Sequence, residues 1–235
     1  IAFGGQGAPI VPIGEKLLMG DYHYFLNLGG IANVSFNADQ YVAFDVCAAN
    51  RVLNMLAADA GKEYDEGGQM AASGTIDRSL LEKLNALDYY KRPSPKSLAN
   101  DFGTDTIYPL IKATERSIPD ALRTYTEHIA VQVKDAISTA GNLKPNSLSG
   151  ETNLSKGVLP DKLLCTGGGA FNTFLIERLK DQLKELNIDV IIPGEKLVKY
   201  KEALVMALMG VLRWREEANV LSSVTGAKRD SVGGA

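Results

Sequence analysis

An α/β fold built on one mixed sheet of about five strands is what this 235-residue sequence predicts, and three observations carry the expectation. Three short runs rich in aromatic and β-branched residues follow one another between residues 22 and 45. Further on, apolar strand-like runs alternate with longer stretches of helical periodicity. Glycine clusters sit where strand-like runs end. A meander followed by alternating strand and helix implies three antiparallel strands, then parallel members, with helices on both faces.

Taken in order, Ile1-Ala2-Phe3 reads as the end of a strand that runs into Gly4-Gly5-Gln6-Gly7-Ala8-Pro9, so an upstream continuation is expected. Lys16-Leu17-Leu18-Met19 is a short amphipathic piece. Tyr24-Phe25-Leu26 and the run from Ile31 to Phe36 flank Gly29-Gly30, a pairing that predicts a hairpin with positive φ at the glycines. Tyr41 to Phe44 forms the third strand after the polar turn Asn37-Ala38-Asp39. Val52, Leu53, Leu56 and Ala60 recur at helical spacing up to Gly61, and Leu80, Leu81, Leu84 and Leu87 mark a shorter helix. Pro93 and Pro95 bias residues 92–97 to extended geometry.

Ser117 opens the longest helix, with Pro119 and Asp120 suited to its first turn. Leu122, Tyr125, Ile129, Val133, Ala136 and Ala140 then trace one face up to Gly141. Residues 142–161 lack periodicity and predict a mobile insertion. Leu163-Leu164-Cys165 is a buried strand that ends in Thr166-Gly167-Gly168-Gly169-Ala170. A helix with Phe171, Phe174, Leu175, Leu179 and Leu183 on one side follows at once. Asp189 to Ile192 gives the last strand, Ala203 to Leu212 the last helix, and Val224 to Gly234 a polar, glycine-rich loop.

Bulk composition excludes several classes. With 45% hydrophobic and 23% charged residues the chain can bury a sizeable core. A net charge of -3 with no face-sized cluster of Lys and Arg argues against nucleic acid or an anionic membrane as partner. No apolar run is long enough to span a bilayer. Cys47 and Cys165 each lie in or beside an apolar run, so reduced core thiols in the cytoplasm are expected, with a disulfide as the alternative.

Side-chain-free amides at Gly29-Gly30 can form a concave donor nest for phosphate oxygens, although the same pair suits a plain hairpin. Gly167-Gly168-Gly169 stands at a strand-to-helix turn, where amides and a positive dipole end suit an anion; a tight packing turn is the alternative. Lys96 lies in a proline-framed loop from which it reaches either phosphate or solvent. His23 and His128 lack metal-ligand spacing, His128 is expected at the surface of its helix, and no residues are assigned to a metal.

The element order β-β-β-α-β-α-β-α resembles the repeated half of the actin, hexokinase and Hsp70 ATPase superfamily, which implies a ribonuclease H-like (actin-like ATPase) half-domain. Residues 1–21 then read as the end of an incomplete N-terminal lobe and 22–235 as the C-terminal lobe. The wording narrows the resemblance further. Gly4-Gly5-Gln6-Gly7-Ala8-Pro9, Asn27-Leu28-Gly29-Gly30-Ile31-Ala32-Asn33, Tyr64-Asp65 with Gly67, Pro95-Lys96-Ser97, Gly167-Gly168-Gly169-Ala170 with Asn172, Glu202-Ala203 and Val224-Thr225-Gly226-Ala227 resemble, in order, the blocks of anhydro-N-acetylmuramic acid kinases.

That resemblance implies an ATP- and Mg2+-dependent kinase that opens a 1,6-anhydro amino sugar and phosphorylates it during peptidoglycan recycling. It implies that Asn27, Gly29, Gly30 and Asn33 form the second phosphate loop and that Gly167, Gly168, Gly169 and Asn172 form the adenosine loop. Gln6, Gly7, Asp45, Asn50 and Glu202 are implied on the sugar side, and the catalytic aspartate is expected directly ahead of Ile1, so that this stretch alone would be inactive. An amide at position 27 cannot neutralise magnesium, so the metal would need a carboxylate from elsewhere. Between Asp45 and Asn50 the family usually shows Thr-Gly-Pro-Gly, whereas this chain has Val46-Cys47-Ala48-Ala49. The departure leaves open a non-catalytic or divergent nucleotide-binding homologue, or another sugar kinase of the superfamily. Oligomeric state stays open, a homodimer being one option.

Overall fold

The protein is described by a computed structural model over residues 11–38, 41–140 and 159–233. Gln6, Gly7 and nearly all of the expected insertion at 142–161 lie outside the described residues. In chain order the elements are α1 (Pro12–Leu18), β1 (Tyr24–Leu28), β2 (Ile31–Phe36), β3 (Val42–Ala48), α2 (Asn50–Ala58), α3 (Gln69–Ser73), α4 (Arg78–Asn85) and α5 (Asp88–Lys91). They continue with α6 (Tyr108–Lys112), α7 (Ile118–Thr139), β4 (Asp161–Thr166), α8 (Thr173–Lys184), β5 (Ile188–Ile191), α9 (Glu195–Trp214) and α10 (Ser222–Thr225).

The strands form one sheet in the order β3-β2-β1-β4-β5. β1 pairs antiparallel with β2 and parallel with β4, so it is the central strand and must be apolar on both faces. Its sequence obeys this up to Asn27: Tyr24, Leu26 and Leu28 enter the larger core, while Phe25 enters the smaller. The mixed five-stranded sheet flanked by helices is the expected architecture, with β1, β2 and β3 antiparallel and β4 and β5 parallel to the centre.

The larger core lies under α2, α4, α7 and α8. Ser117 caps α7 by accepting from the Asp120 amide at 3.3 Å, which satisfies one of the orphan donors of that helix start. His128, expected at the surface, is fully buried in this layer. Its Nδ1 meets Asn85 Oδ1 at 2.6 Å and its Nε2 meets the Tyr90 hydroxyl at 2.9 Å. Burial lowers its pKa to about 3, so the ring is neutral, with Nδ1–H donating to the acceptor-only Asn85 oxygen and Tyr90 donating to Nε2.

The smaller core joins α1 and α9 to the opposite face through Ile13, Met19, Phe25, Tyr41, Leu164, Val205 and Leu212. Residues 12–19, assigned by sequence to the preceding lobe, thus pack with this sheet. Glu15 and Lys201 are both buried there, with Lys201 Nζ donating to Glu15 Oε1 at 2.9 Å and the Tyr41 hydroxyl donating to Glu15 Oε2.

Candidate functional site

The C-terminal ends of β1 and β4 and the starts of α2, α8 and α9 converge on one edge of the sheet. There a cleft of about 430 Å³ is lined by Asn50, Leu53 and Asn54 of α2, by Tyr64, Asp65 and Gly67 of the following turn, and by Gly168, Gly169, Phe171 and Asn172 after β4. Glu195 and Lys199, from the first turns of α9, complete the lining.

The Gly29–Gly30 hairpin forms as expected, but neither glycine takes a positive φ. Leu28 pairs with Ala32, so Gly29, Gly30 and Ile31 all lie between the last paired residues, and a primed two-residue turn is not required. The two glycine carbonyls accept from the amides of Asn50 at 3.1 Å and Ala49 at 2.8 Å. The hairpin tip therefore caps the start of α2, a helix whose own N-cap side chain makes no capping bond.

The second glycine turn is shaped by close approach. Gly167 has φ 83° and ψ 169°, and a Cβ there would stand 2.6 Å from Asn27 Oδ1 and 2.8 Å from the Leu28 carbonyl. At Gly169 a Cβ would come within 2.7 Å of Leu28 Cβ and 2.9 Å of Asn50 Oδ1. Asn50 lies between the two turns and donates from Nδ2 to the Leu28 carbonyl at 2.9 Å. Asn172 caps α8, accepting from the Leu175 amide at 3.0 Å.

Apart from Gly29, Gly30 and Gly167 in the turns themselves, most of the residues singled out by sequence fall into two groups. Gly168, Gly169, Asn172 and Asn50 line the cleft. Asn27, Asn33 and Asp45 form a lateral row on the face that carries Phe25, since Asn27 pairs with Asn33 and Asn33 with Asp45. Thr166 extends that row beside Asn27, and its buried hydroxyl has no hydrogen-bond partner among the described residues. The Asp45 carboxylate is turned to the loop beyond the sheet edge, where Oδ2 accepts from the Leu98 amide at 2.8 Å and Ser97 Oγ at 3.2 Å. Glu202 is exposed on α9 and does not line the cleft. Lys96 points inward, its ammonium bonded to the Tyr89 and Tyr90 carbonyls at 3.2 Å and set 4.7 Å from the Tyr89 ring, so it does not reach out for phosphate. Burial lowers its pKa, with Arg92 adding to the effect.

The altered segment takes the form of strand rather than loop. β3 runs past the expected Phe44 to Ala48, and a bulge at Val46 shifts the register so that Ala32 faces Cys47 while Asn33 faces Asp45. None of residues 46–49 has a positive φ. Tyr125 donates to the Ala48 carbonyl at 2.8 Å and Tyr89 to that of Asp45 at 2.7 Å, which anchors the strand end on the helical layer.

Sequence reasoning missed Tyr64, Asn54, Phe171, Glu195 and Lys199 as cleft residues. Tyr64 and Phe171 are 55% and 46% exposed, a visible anomaly for rings beside glycine-rich turns. Glu195 and Lys199 form an ion pair at the lip, and Lys199 holds the Glu195 carboxyl below its ordinary range. Both cysteines are free and buried, and burial pushes the Cys165 thiol up to about 12. Among the described residues no three His, Cys, Asp or Glu side chains come together as a metal site, and no helix is long and apolar enough to cross a membrane.

Comparison with known proteins extends the resemblance to the whole sequence. A family model described as anhydro-N-acetylmuramic acid kinase matches residues 1–235. A Gloeobacter violaceus protein of that name is 33% identical over 97% of this chain and 59% of its own length. A Haemophilus influenzae protein of the same name is 29% identical over 97% of this chain and 60% of its own. The chain spans about 60% of the length of these curated relatives. Among solved structures, component A of the Acidaminococcus fermentans (R)-2-hydroxyglutaryl-CoA dehydratase aligns over 83% of this chain and 63% of its own, at 17% identity and a TM-score of 0.45. The activator of the Clostridium difficile 2-hydroxyisocaproyl-CoA dehydratase, with bound ADPNP, aligns over 83% of this chain and 62% of its own, at 15% identity and a TM-score of 0.46. Because the family match runs the length of the chain, through both glycine turns and every residue that lines the cleft, the chain belongs to the anhydro-N-acetylmuramic acid kinase family.

Proposed function

We propose that this chain is the nucleotide-binding lobe of a cytoplasmic, ATP-dependent kinase that converts 1,6-anhydro-N-acetylmuramic acid to N-acetylmuramic acid 6-phosphate in peptidoglycan recycling. The observation that carries this reading is the convergence of the Gly29–Gly30 hairpin and the Gly167–Gly169 turn on one sheet edge, in a chain of this family. Gly168, Gly169 and Asn172 take the adenosine side of ATP, and the hairpin with Asn27 and Asn33 takes the phosphate side.

In the reaction a water adds to the anomeric carbon while the bond from that carbon to the 6-oxygen breaks. The water's proton passes to a carboxylate, which the family resemblance assigns to the position directly before Ile1. The freed 6-oxygen then takes the γ-phosphoryl group and ADP leaves. Magnesium would arrive on the nucleotide phosphates. The described residues do not fit a metal site of their own, since Asn27 and Asn33 are neutral amides and Asp45 is engaged by Ser97 and Leu98; no step is assigned to the ion. The anchored course of residues 46–49, none of which takes a positive φ, supports retained activity over a degenerate homologue.

The test is phosphorylation of 1,6-anhydro-N-acetylmuramic acid by the full-length protein with magnesium ATP, followed by mass spectrometry of the product. The expected product is the ring-opened 6-phosphate. A full-length protein that binds ATP but turns over another anhydro sugar, or none, would overturn the substrate assignment.

A further inference from the structure

The cleft carries polar groups that differ in what remains open to a ligand. Two carboxylates line it, and they are in opposite states. Asp65 is buried, with its two oxygens accepting from the amides of Met70 and Ala71, each at 2.9 Å; it is committed to starting α3. Glu195 is 66% exposed and, among the described residues, shares only Oε1, with Lys199 on its own helix, so it keeps acceptor sites at the lip of the cleft. The amides divide in the same way. Asn50 spends its Nδ2 on Leu28 and Asn172 its Oδ1 on Leu175, whereas Asn54 has no side-chain partner among the described residues.

Matching these open groups to a nucleoside leaves little choice. A purine needs apolar surface for its faces and, on its edge, a group that both donates and accepts. Tyr64, Phe171 and Leu53 supply the surface and the Asn54 amide the edge partner. A ribose presents two adjacent hydroxyl donors, and an ionised carboxylate, which only accepts and has two oxygens, is the complementary group. We propose that Glu195 is a specificity-determining residue that binds the ribose 2′- and 3′-hydroxyls of the nucleotide, with Lys199 holding its carboxylate in place. This deepens, and rests on, the nucleotide reading given above.

The kink in α9 fits this role. Tyr200, at φ -123° and ψ 17°, interrupts the helix between the cleft-lining turns and Lys201, which is pinned in the smaller core by Glu15. The kink divides α9 into a first part, with Glu195 and Lys199 at the cleft and Val198 in the larger core, and a second part whose Val205 and Leu212 pack in the smaller core.

The test measures dissociation constants of the full-length protein for ATP, 2′-deoxyATP and 3′-deoxyATP by calorimetry, in wild type and in Glu195→Ala and Glu195→Gln. Charge-assisted hydrogen bonds predict that wild type prefers ATP to either deoxynucleotide by about tenfold or more. Glu195→Ala should bring those ratios to within about twofold, and Glu195→Gln should fall between, because one amide oxygen remains as acceptor. Both variants keep the fold, since the side chain is exposed and its one partner is a surface ion pair. Ratios unchanged in Glu195→Ala, with ATP still bound, would overturn the ribose assignment alone. A variant that instead loses preference for ATP over GTP would move Glu195 to the base edge and overturn it too. Failure of the wild-type protein to bind any of the nucleotides would overturn the nucleotide reading together with it.

Discussion

The two glycine turns at the sheet edge look alike in sequence and are built for different reasons. At Gly29–Gly30 neither residue uses a left-handed backbone, and a Cβ would find its nearest neighbours at 3.4 Å or beyond, which is ordinary contact. At Gly167 the backbone is one that only glycine adopts readily, and a Cβ would collide with both Asn27 and Leu28. The difference teaches that glycine at the hairpin is permitted by the fold, whereas glycine after β4 is demanded by it. Any need for glycine at the hairpin has to come from a ligand.

The sharpest way to break this contrast is Gly167→Ala. A positive φ with an extended ψ costs of order 1–3 kcal/mol for an alanine, and overpacking against Leu28 costs about 1–3 kcal/mol more. A loss of about 3 kcal/mol or more in denaturant unfolding of the full-length protein is expected; a variant as stable as wild type would refute the contrast. Gly169→Ala keeps an ordinary φ and meets only the contacts with Leu28 and Asn50, so the expected loss is smaller, about 1–3 kcal/mol by the same measurement.

Gly168 separates folding from binding within one turn. A Cβ there would meet only Asn50 Nδ2 at 3.6 Å, and the residue lines the cleft. Gly168→Ala should therefore leave unfolding within about 0.5 kcal/mol of wild type. ATP affinity should fall by about tenfold, because in the proposed binding mode the added methyl stands where the nucleotide approaches bare backbone. Calorimetry on the full-length variant reads both arms, and unchanged affinity would place the nucleotide elsewhere in the cleft.

The same contrast marks what sequence could and could not reveal. Capping of α7 by Ser117, the apolar face of that helix and the buried course of β4 are local pattern, and they were legible. The hairpin was legible as a turn, but its φ values were not, because they depend on which carbonyls α2 takes up. His128 misled because it sits off the apolar stripe of α7; it is buried by Asn85 and Tyr90, partners that come from other segments. Lys96 misled in the same way, since the carbonyls of Tyr89 and Tyr90 draw it inward. Glu195 and Lys199 are not legible because the kink at Tyr200 breaks the helical period, and the pattern predicts a helix only from Ala203. Asp45 and Asn50 are neighbours in sequence, yet the bulge and the start of α2 send one to the 97–98 loop and the other to the cleft.

The smallest expected effect falls on the hairpin and completes the contrast. Gly30→Ala places a methyl 3.9 Å from Arg51 and leaves the carbonyl that accepts from Ala49 in position. Because φ at Gly30 is not positive, alanine carries no left-handed strain there, and it removes conformational freedom from the unfolded chain. Unfolding free energy should stay within about 0.5 kcal/mol of wild type or rise slightly. If the hairpin holds phosphate, the same variant should weaken ATP more than it weakens adenosine, since only the triphosphate reaches the tip. Equal weakening of both ligands, or of neither, would mean that Gly30 is a turn residue and that the phosphates depend on Asn27 and Asn33 instead.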